Sequence, residues 1–241
     1  CYPDIEHALP PVPLGLAGAK LAAAFNRKNW HWWPSYSAIS TRPVRGRNSC
    51  INLGPCNTGC PQGAKSSTDI TYIPRALQKG LTLITNASVF EVMTANGRAT
   101  GVRYKDETGA IHEINARVVV LAASALGTPR ILQDSKGKNH PNGLANSSDA
   151  VGRNLMLHPL GYVEGVFDTN LDVDLGPQGC MLYSHEFYRS EEASHKLGYT
   201  MHALRGTGPV EAATSALLKR RLSFGPGIFD DFFNFYKKQM V

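Results

Sequence analysis

Three of the five cysteines stand close together in the sequence, in the pattern Cys50-x5-Cys56-x3-Cys60-Pro61. Thiolates are ligands that soft metal ions and iron–sulfur clusters prefer, and three of them suit a three-iron cluster. A proline directly after the last cysteine often accompanies iron–sulfur ligands. The odd number of cysteines and their tight spacing therefore favour a metal or redox role over a disulfide framework.

Other interpretations of these cysteines stay open on the sequence alone. A structural zinc site usually needs four protein ligands, and no histidine stands at finger-like spacing from the cysteines. A single disulfide, Cys50–Cys56 or Cys50–Cys60, is an alternative if the protein is exported to an oxidising compartment. Buried free thiols are the remaining interpretation.

A second pattern lies at Val118–Thr128, where an apolar run leads into small residues. The run Arg117–Ser124 does not alternate between apolar and polar residues, which is typical of a parallel strand buried on both faces. Thr128 and Pro129 then suit the N-cap and the first position of a helix. Small residues after such a strand let a flat cofactor lie against the backbone, although tight strand–helix packing accounts for them equally well.

The glycine motif that holds the phosphates of a dinucleotide is absent from the sequence. No G-x-G-x-x-G occurs, and the glycine pairs at 206 and 208 and at 225 and 227 lack the third glycine and a preceding strand. The chain by itself therefore has no phosphate cradle of this type. The eight histidines form no evident ligand pair, and His158 is interpreted as a structural histidine.

Short-range patterns predict the elements that position these residues. Strands are predicted at 81–85, 88–95, 99–105 and 111–116, and the last three form a meander. Asn96-Gly97 joins the first two strands of the meander, because both residues accept the positive φ of a tight hairpin turn. Helices are predicted from about Leu14 to Asn29 and from Thr71 to Lys79. The predicted fold class is α/β.

The composition bounds the class of protein. Of the 241 residues, 42% are hydrophobic and 18% are charged, which excludes a disordered chain. The most apolar stretch, Val118–Gly127, is too short to cross a bilayer. The net charge is +6, but the basic residues do not form the aromatic-basic pattern of a nucleic-acid binder. It is more typical of a solvated surface than of a docking site for an acidic redox partner.

Five segments, in the family's order and spacing, resemble the glucose-methanol-choline (GMC) oxidoreductases over about Pro10 to Phe167. The segments are Cys60–Asp69, Thr71–Ala76, Gly97–Val102, Val119–Leu132 and Val151–Pro159. Each segment alone is a weak signal, and the order of all five makes the resemblance specific. It implies a flavoprotein that oxidises CH–OH groups of sugars or alcohols and passes the electrons to an acceptor other than oxygen.

The resemblance also implies an architecture of two parts. Residues 1–154 are expected to form part of an FAD-binding, Rossmann-like domain that contains the meander and the cysteine loop at 50–60. Residues 155–241 are expected to form the start of an α+β substrate domain. A cytochrome or a small subunit is the electron-transfer partner that the resemblance implies. The resemblance also implies a periplasmic or membrane-associated location.

The cofactor contacts that the resemblance implies fall on four residues. Val89 is carried over as the residue whose backbone meets the adenine of FAD. Ala122, Ala123 and Thr128 are carried over to the turn that approaches the flavin half of the molecule. The three clustered cysteines look like those of bacterial FAD-dependent sugar dehydrogenases that carry a [3Fe-4S] cluster, which implies that they are its ligands.

The family's glycine fingerprint is expected upstream of Cys1, and its catalytic histidine is expected downstream of Val241. The chain is therefore interpreted as an interior fragment that is inactive alone and has no catalytic residue. Two alternatives stay open. One is a non-catalytic partner-binding module held together by an iron–sulfur cluster or a disulfide, and the other is a GMC oxidase that uses oxygen.

Overall fold

The computed structural model describes most of the chain. The described residues are 9–189, 198–205, 210, 213–214, 217 and 225–240. The chain divides into two compact units, one made of Cys1–Lys79 with Gly161–Val241 and the other of Gly80–Leu160. The predicted division into domains at 1–154 and 155–241 stays a prediction.

The helices and strands of the described residues are mostly short. The helices are α1 (Gly15–Arg27), α2 (Thr68–Thr71), α3 (Ile73–Gln78), α4 (Ser124–Asp134) and α5 (Gly227–Phe235). The strands are β1 (Trp33–Pro34), β2 (Ser88–Ala95), β3 (Arg98–Lys105), β4 (Ile111–Asn115), β5 (Gly165–Val166), β6 (Gly179–Ser184), β7 (Met201–Arg205) and β8 (Gln239–Met240). All strand pairs in the described part of the chain are antiparallel, so it is a mixed helix and strand fold with small antiparallel sheets.

The first unit is built on a sheet in the order β1–β6–β7, with α1 packed on one face. The predicted helix α1 is confirmed, because its alanines are strong helix formers and Ala17, Ala22 and Phe25 are buried. On the facing strands, Leu182 and Ala203 are only 0% and 3% exposed. Removal of these apolar side chains from water holds the helix on the sheet.

The second unit contains the predicted meander, in which β3 pairs with both β2 and β4. Asn96 and Gly97 form the turn between β2 and β3 with φ of +52° and +73°, as the hairpin signal predicts. Strand β4 crosses closely at Gly101, because a Cβ there would overlap the carbonyl oxygen of Ile114. The prediction of the meander is confirmed.

Helix α4 is attached to the meander through Ser135, the residue that directly follows it. The Ser135 hydroxyl accepts a hydrogen bond from the Val92 N–H at 2.8 Å and donates one to the Ile131 carbonyl at 2.6 Å. All three residues are buried. Because β2 is an edge strand of the described sheet, this contact satisfies a buried amide on its open side.

Two predicted strands are wrong. The segment 117–123, the predicted parallel strand, forms no strand, and Val118 and Val120 are 76% and 81% exposed. The segment Leu81–Thr85 also forms no strand, and Leu83 is exposed. A strand needs hydrogen bonds to a neighbour, and a parallel strand needs cover on both faces. No strand of the described residues pairs with either segment.

Helix α4 begins earlier than predicted, at Ser124, so Thr128 is not its N-cap and Pro129 lies inside it. The helix extends upstream because the alanine and leucine before Thr128 are good helix formers. The Thr128 hydroxyl instead accepts a hydrogen bond from the Ala123 N–H at 3.0 Å. The predicted helix at 71–79 is present in part, as α3 preceded by the short α2.

The close crossing at Gly101 leads to a prediction about stability. We expect Gly101→Ala to lower the free energy of unfolding by about 1–3 kcal/mol, because the added methyl group forces β3 and β4 apart. Urea denaturation of the chain measures the change. Gly161→Ala is the control, because nothing lies within 4 Å of a Cβ there. Equal stabilities of the two variants would contradict the close packing at Gly101.

Candidate cofactor site

The second unit has a cavity of about 400 Å³ beside the meander. Its walls are Val89 of β2, Val102 of β3, Ile114 of β4, Ile131 of α4, Ala116 and the segment 118–123. None of these lining residues is charged. Its volume and its apolar lining are those of a small-molecule pocket.

The residues predicted to contact FAD are brought together here. Val89, Ala122 and Ala123 line the cavity, although they are separated by more than thirty positions in the sequence. Thr128 does not line it, but its hydroxyl holds the Ala123 amide at 3.0 Å. The structure therefore joins the four residues in one local site, while their contact with FAD stays a prediction.

The lining of the cavity fits one part of FAD. Its aliphatic walls suit a flat ring system, and Ala122 and Ala123 have side chains short enough for a ring to approach the backbone. No basic side chain lines the cavity to neutralise a pyrophosphate. This agrees with the absence of a glycine-rich phosphate motif in the sequence.

Sequence reasoning missed four walls of this cavity, Val102, Ile114, Ala116 and Ile131. Val102 and Ile114 are direct cross-strand partners in the register of β3 and β4. A signal was available, because side chains at paired positions of neighbouring strands point to the same face of a sheet. This pairing rule predicts that Val102 and Ile114 lie on the same face of the sheet. It does not predict which face of the sheet α4 leaves uncovered.

The three clustered cysteines lie in the first unit as partly buried free thiols. Cys50, Cys56 and Cys60 all line one small cavity of about 20 Å³. The Asn52 N–H lies 3.5 Å from the Cys50 sulfur, and the Gln178 N–H donates to the Cys56 sulfur at 3.3 Å. The cysteine loop at 50–60 is therefore held by a contact between neighbouring residues, Asn52 and Cys50, and by a hydrogen bond from Gln178, which is distant in the sequence.

These thiols are not arranged as metal ligands. Within the residues that the structure describes, no group of three or more His, Cys, Asp or Glu side chains is placed to hold a metal ion. The shared cavity has room for about one water molecule, far less than an iron–sulfur cluster needs. The described arrangement therefore gives no support to a [3Fe-4S] cluster, and the metal role of Cys50, Cys56 and Cys60 stays a prediction.

Cys60 differs from the other two cysteines in its backbone surroundings. Burial raises the pKa of its thiol, while the backbone N–H groups of Lys65, Ala64, Gln62 and Gly63 lower it. The four amides together outweigh burial, so the pKa of Cys60 lies below its ordinary value. Because the thiolate is the reactive form of cysteine, a lowered pKa favours the reactive form of Cys60.

Comparison with known proteins identifies the class to which this site belongs. Residues 38–160 match the family model for the GMC oxidoreductases. The chain therefore belongs to the GMC oxidoreductase family, whose members are FAD-binding oxidoreductases. This match contains the meander, α4 and the clustered cysteines.

Individual relatives act on alcohols and sugars, as their names state. The chain is 44% identical to 2-methyl-1,2-propanediol dehydrogenase of Mycolicibacterium austroafricanum, covering 85% of this chain and 38% of that protein. It is 28% identical to the fructose dehydrogenase large subunit of Gluconobacter japonicus, covering 88% and 39%. It is 26% identical to a long-chain-alcohol oxidase of Arabidopsis thaliana, covering 73% and 22%. The chain thus spans between 22% and 39% of the length of these relatives.

None of the helices in the described residues is both long enough and apolar enough to cross a bilayer.

The bond between Thr128 and Ala123 leads to a second prediction. We expect Thr128→Val to speed hydrogen exchange at the Ala123 amide, because valine has a similar shape but no oxygen to accept the bond. NMR of the labelled chain measures the exchange rate. Thr128→Ser keeps the hydroxyl and is the matched control, with slow exchange expected. Equally slow exchange in all three proteins would contradict the role of this hydroxyl.

The amides around Cys60 lead to a third prediction. In the metal-free chain, iodoacetamide should alkylate Cys60 with a midpoint pH below that of a cysteine in an unfolded peptide, because the lowered pKa supplies thiolate at lower pH. Mass spectrometry of the alkylated peptide against pH measures the midpoint, and Cys60→Ser verifies the peptide's assignment. A midpoint at or above that of the unfolded peptide would contradict the stabilising role of the amides.

Proposed function

We propose that this chain is part of an FAD-dependent dehydrogenase that oxidises CH–OH groups of sugars or alcohols. The observation that carries the proposal is the apolar cavity at which Val89, Ala122 and Ala123 meet, since these are the residues that the family resemblance assigns to FAD. Membership of the GMC oxidoreductase family supports the assignment of the protein as an oxidoreductase. Similarity to a diol dehydrogenase and to a fructose dehydrogenase subunit supports small hydroxylated substrates.

The chain contributes the surroundings of the cofactor. FAD, when bound, accepts a hydride from the C–H bond of an alcohol. Val89 and the alanines at 122 and 123 form apolar walls of one cavity, which suits a single ring of FAD, so the adenine contact assigned to Val89 and the flavin contact assigned to the alanines are not both made in it. The Thr128 hydroxyl accepts a hydrogen bond from the Ala123 N–H, so the turn keeps its conformation before a ring of FAD binds. No residue of the chain is assigned as the base for the substrate hydroxyl.

We propose an acceptor other than oxygen, with a cytochrome or a small subunit as the partner. Similarity to two proteins named as dehydrogenases, one of them a large subunit, supports this assignment. The second candidate is an oxidase, which the similarity to a long-chain-alcohol oxidase favours. Oxygen consumption by the full-length enzyme in the presence of an alcohol separates the two.

The cavity is tested in the full-length protein by Ala122→Glu. A carboxylate in the apolar cavity must be desolvated when a ring of FAD binds, so FAD affinity should fall by at least about tenfold. Flavin absorbance retained after gel filtration, followed by titration with FAD, measures the affinity. Leu126→Glu is the matched control, because Leu126 is 68% exposed and does not line the cavity. An unchanged affinity in Ala122→Glu would remove the FAD assignment from this cavity.

The proposed ligand role of the cysteines has a separate test. If Cys50, Cys56 and Cys60 hold iron in the full-length enzyme, Cys56→Ser should abolish the iron content and slow electron transfer to a cytochrome acceptor. Flavin reduction by substrate should survive. Cys180→Ser is the control, because Cys180 stands outside the motif. Normal iron and normal transfer in Cys56→Ser would contradict the ligand role, and iron-free wild-type enzyme would do the same.

A further inference from the structure

The face of the meander that lines the cofactor cavity continues beyond the cavity itself. Val102 and Ile114 are direct partners across β3 and β4, and both line the cavity. Side chains two positions apart on a strand lie on one face, so Tyr104 and His112 share the face of these two cavity walls. Tyr104 is also the direct partner of Val89, the cavity wall on β2. The cavity face therefore carries a tyrosine and a histidine next to Val89.

The opposite face of the meander has a different chemistry. Arg103, the residue before Tyr104, is paired with Glu91 of β2 and Glu113 of β4 in the register of the sheet. Its guanidinium lies 3.1 Å from the Glu91 carboxylate and 2.7 Å from the Glu113 carboxylate. These charges are on the far side of the sheet, so the rings and the cavity share a face without them.

The Tyr104 and His112 rings are stacked on each other. Their centroids are 5.1 Å apart, and 21° separates the two ring planes. Because the strands lie in the order β2–β3–β4, His112 is on one side of Tyr104 and Val89 is on the other. His112 therefore covers one face of the phenol ring, and the other face is on the side of Val89 and the cavity.

The turn between β3 and β4 holds the histidine ring in place. Nε2 of His112 lies 2.7 Å from Oδ2 of Asp106. Oδ1 of Asp106 accepts hydrogen bonds from the Thr108 hydroxyl at 2.7 Å and from the N–H groups of Thr108 and Ala110 at 2.9 and 3.0 Å. The Thr108 hydroxyl and His112 hold the pKa of Asp106 well below its ordinary value, so this carboxylate stays charged. Tyr104 is thus backed by a ring that is itself fixed.

We propose that Tyr104, backed by His112, stacks against the adenine of FAD beside Val89. The inference rests on the proposed function, and it names the end of the cofactor that the cavity takes. Adenine is a flat, uncharged ring that needs apolar cover and an aromatic face, which Val89 and Tyr104 supply. The flavin ring needs a proton acceptor for the substrate hydroxyl beside it, and the residues that line the cavity are all aliphatic. Ala122 and Ala123 then cover the adenine as well.

The test titrates the full-length protein, freed of bound FAD, with FAD, ADP and riboflavin in a calorimeter. ADP carries the adenine and riboflavin carries the flavin ring, so each of these two probes reports one end of the cofactor. Tyr104→Leu should raise the Kd for FAD and for ADP by about tenfold, because the stacked aromatic face is lost. The Kd for riboflavin should change by less than about twofold.

Further variants separate stacking from an effect on folding. Tyr104→Phe keeps the ring, so its Kd for ADP should stay within about twofold of the wild-type value. His112→Ala removes the exposed ring behind Tyr104 and should raise the Kd for ADP by about threefold. Glu113→Ala is the matched control, because Glu113 is the next residue of β4 and lies on the opposite face. It should leave all three Kd values unchanged.

The outcomes separate this inference from the proposed function. If the wild-type protein binds neither FAD nor riboflavin, the proposed function fails. If the wild type binds FAD, and Tyr104→Leu and His112→Ala bind FAD and ADP as tightly, the proposed function stands and Tyr104 does not stack on adenine. A rise in the Kd for riboflavin instead of ADP, or a wild-type protein that binds riboflavin but not ADP, would also overturn the inference.

Discussion

The contact of the Ser135 hydroxyl with Val92 and Ile131 fixes the geometry on which the candidate cofactor site depends. Val92 lies on an edge strand, and its buried amide needs an acceptor that the meander does not supply on that side. The Ser135 hydroxyl meets this need at 2.8 Å. An unsatisfied buried amide costs about 1–3 kcal/mol, so α4 is held to β2 by a strong constraint.

The same constraint explains why residues distant in sequence meet. The turn at Ala122 and Ala123 leads directly into α4, and Val89 lies three residues before Val92 on β2. Docking of α4 on β2 therefore brings the turn beside Val89 and leaves an apolar cavity between them. The chain belongs to a family that binds FAD, and we propose that this cavity takes part of that cofactor.

Local signals in the sequence predict local structure well here. Asn96 and Gly97 set the hairpin because their backbone preference acts within one turn, and the alanine-rich stretch forms α1 for a similar reason. Segment 117–123 fails as a strand because pairing depends on partners that composition does not reveal. The spacing of Cys50, Cys56 and Cys60 likewise predicts that the thiols are near one another, and it does not predict the directions of their sulfurs. Ser135 gives no signal, because its role depends on an amide 43 positions away.

We propose that this chain is part of a flavin enzyme that oxidises alcohols. The most direct test is the visible absorption spectrum of the purified full-length protein, recorded without oxygen before and after addition of a sugar or an alcohol. We predict flavin absorption bands that bleach on addition of a substrate and return with an electron acceptor. A protein that is purified without flavin and does not take it up from added FAD would contradict the proposed function.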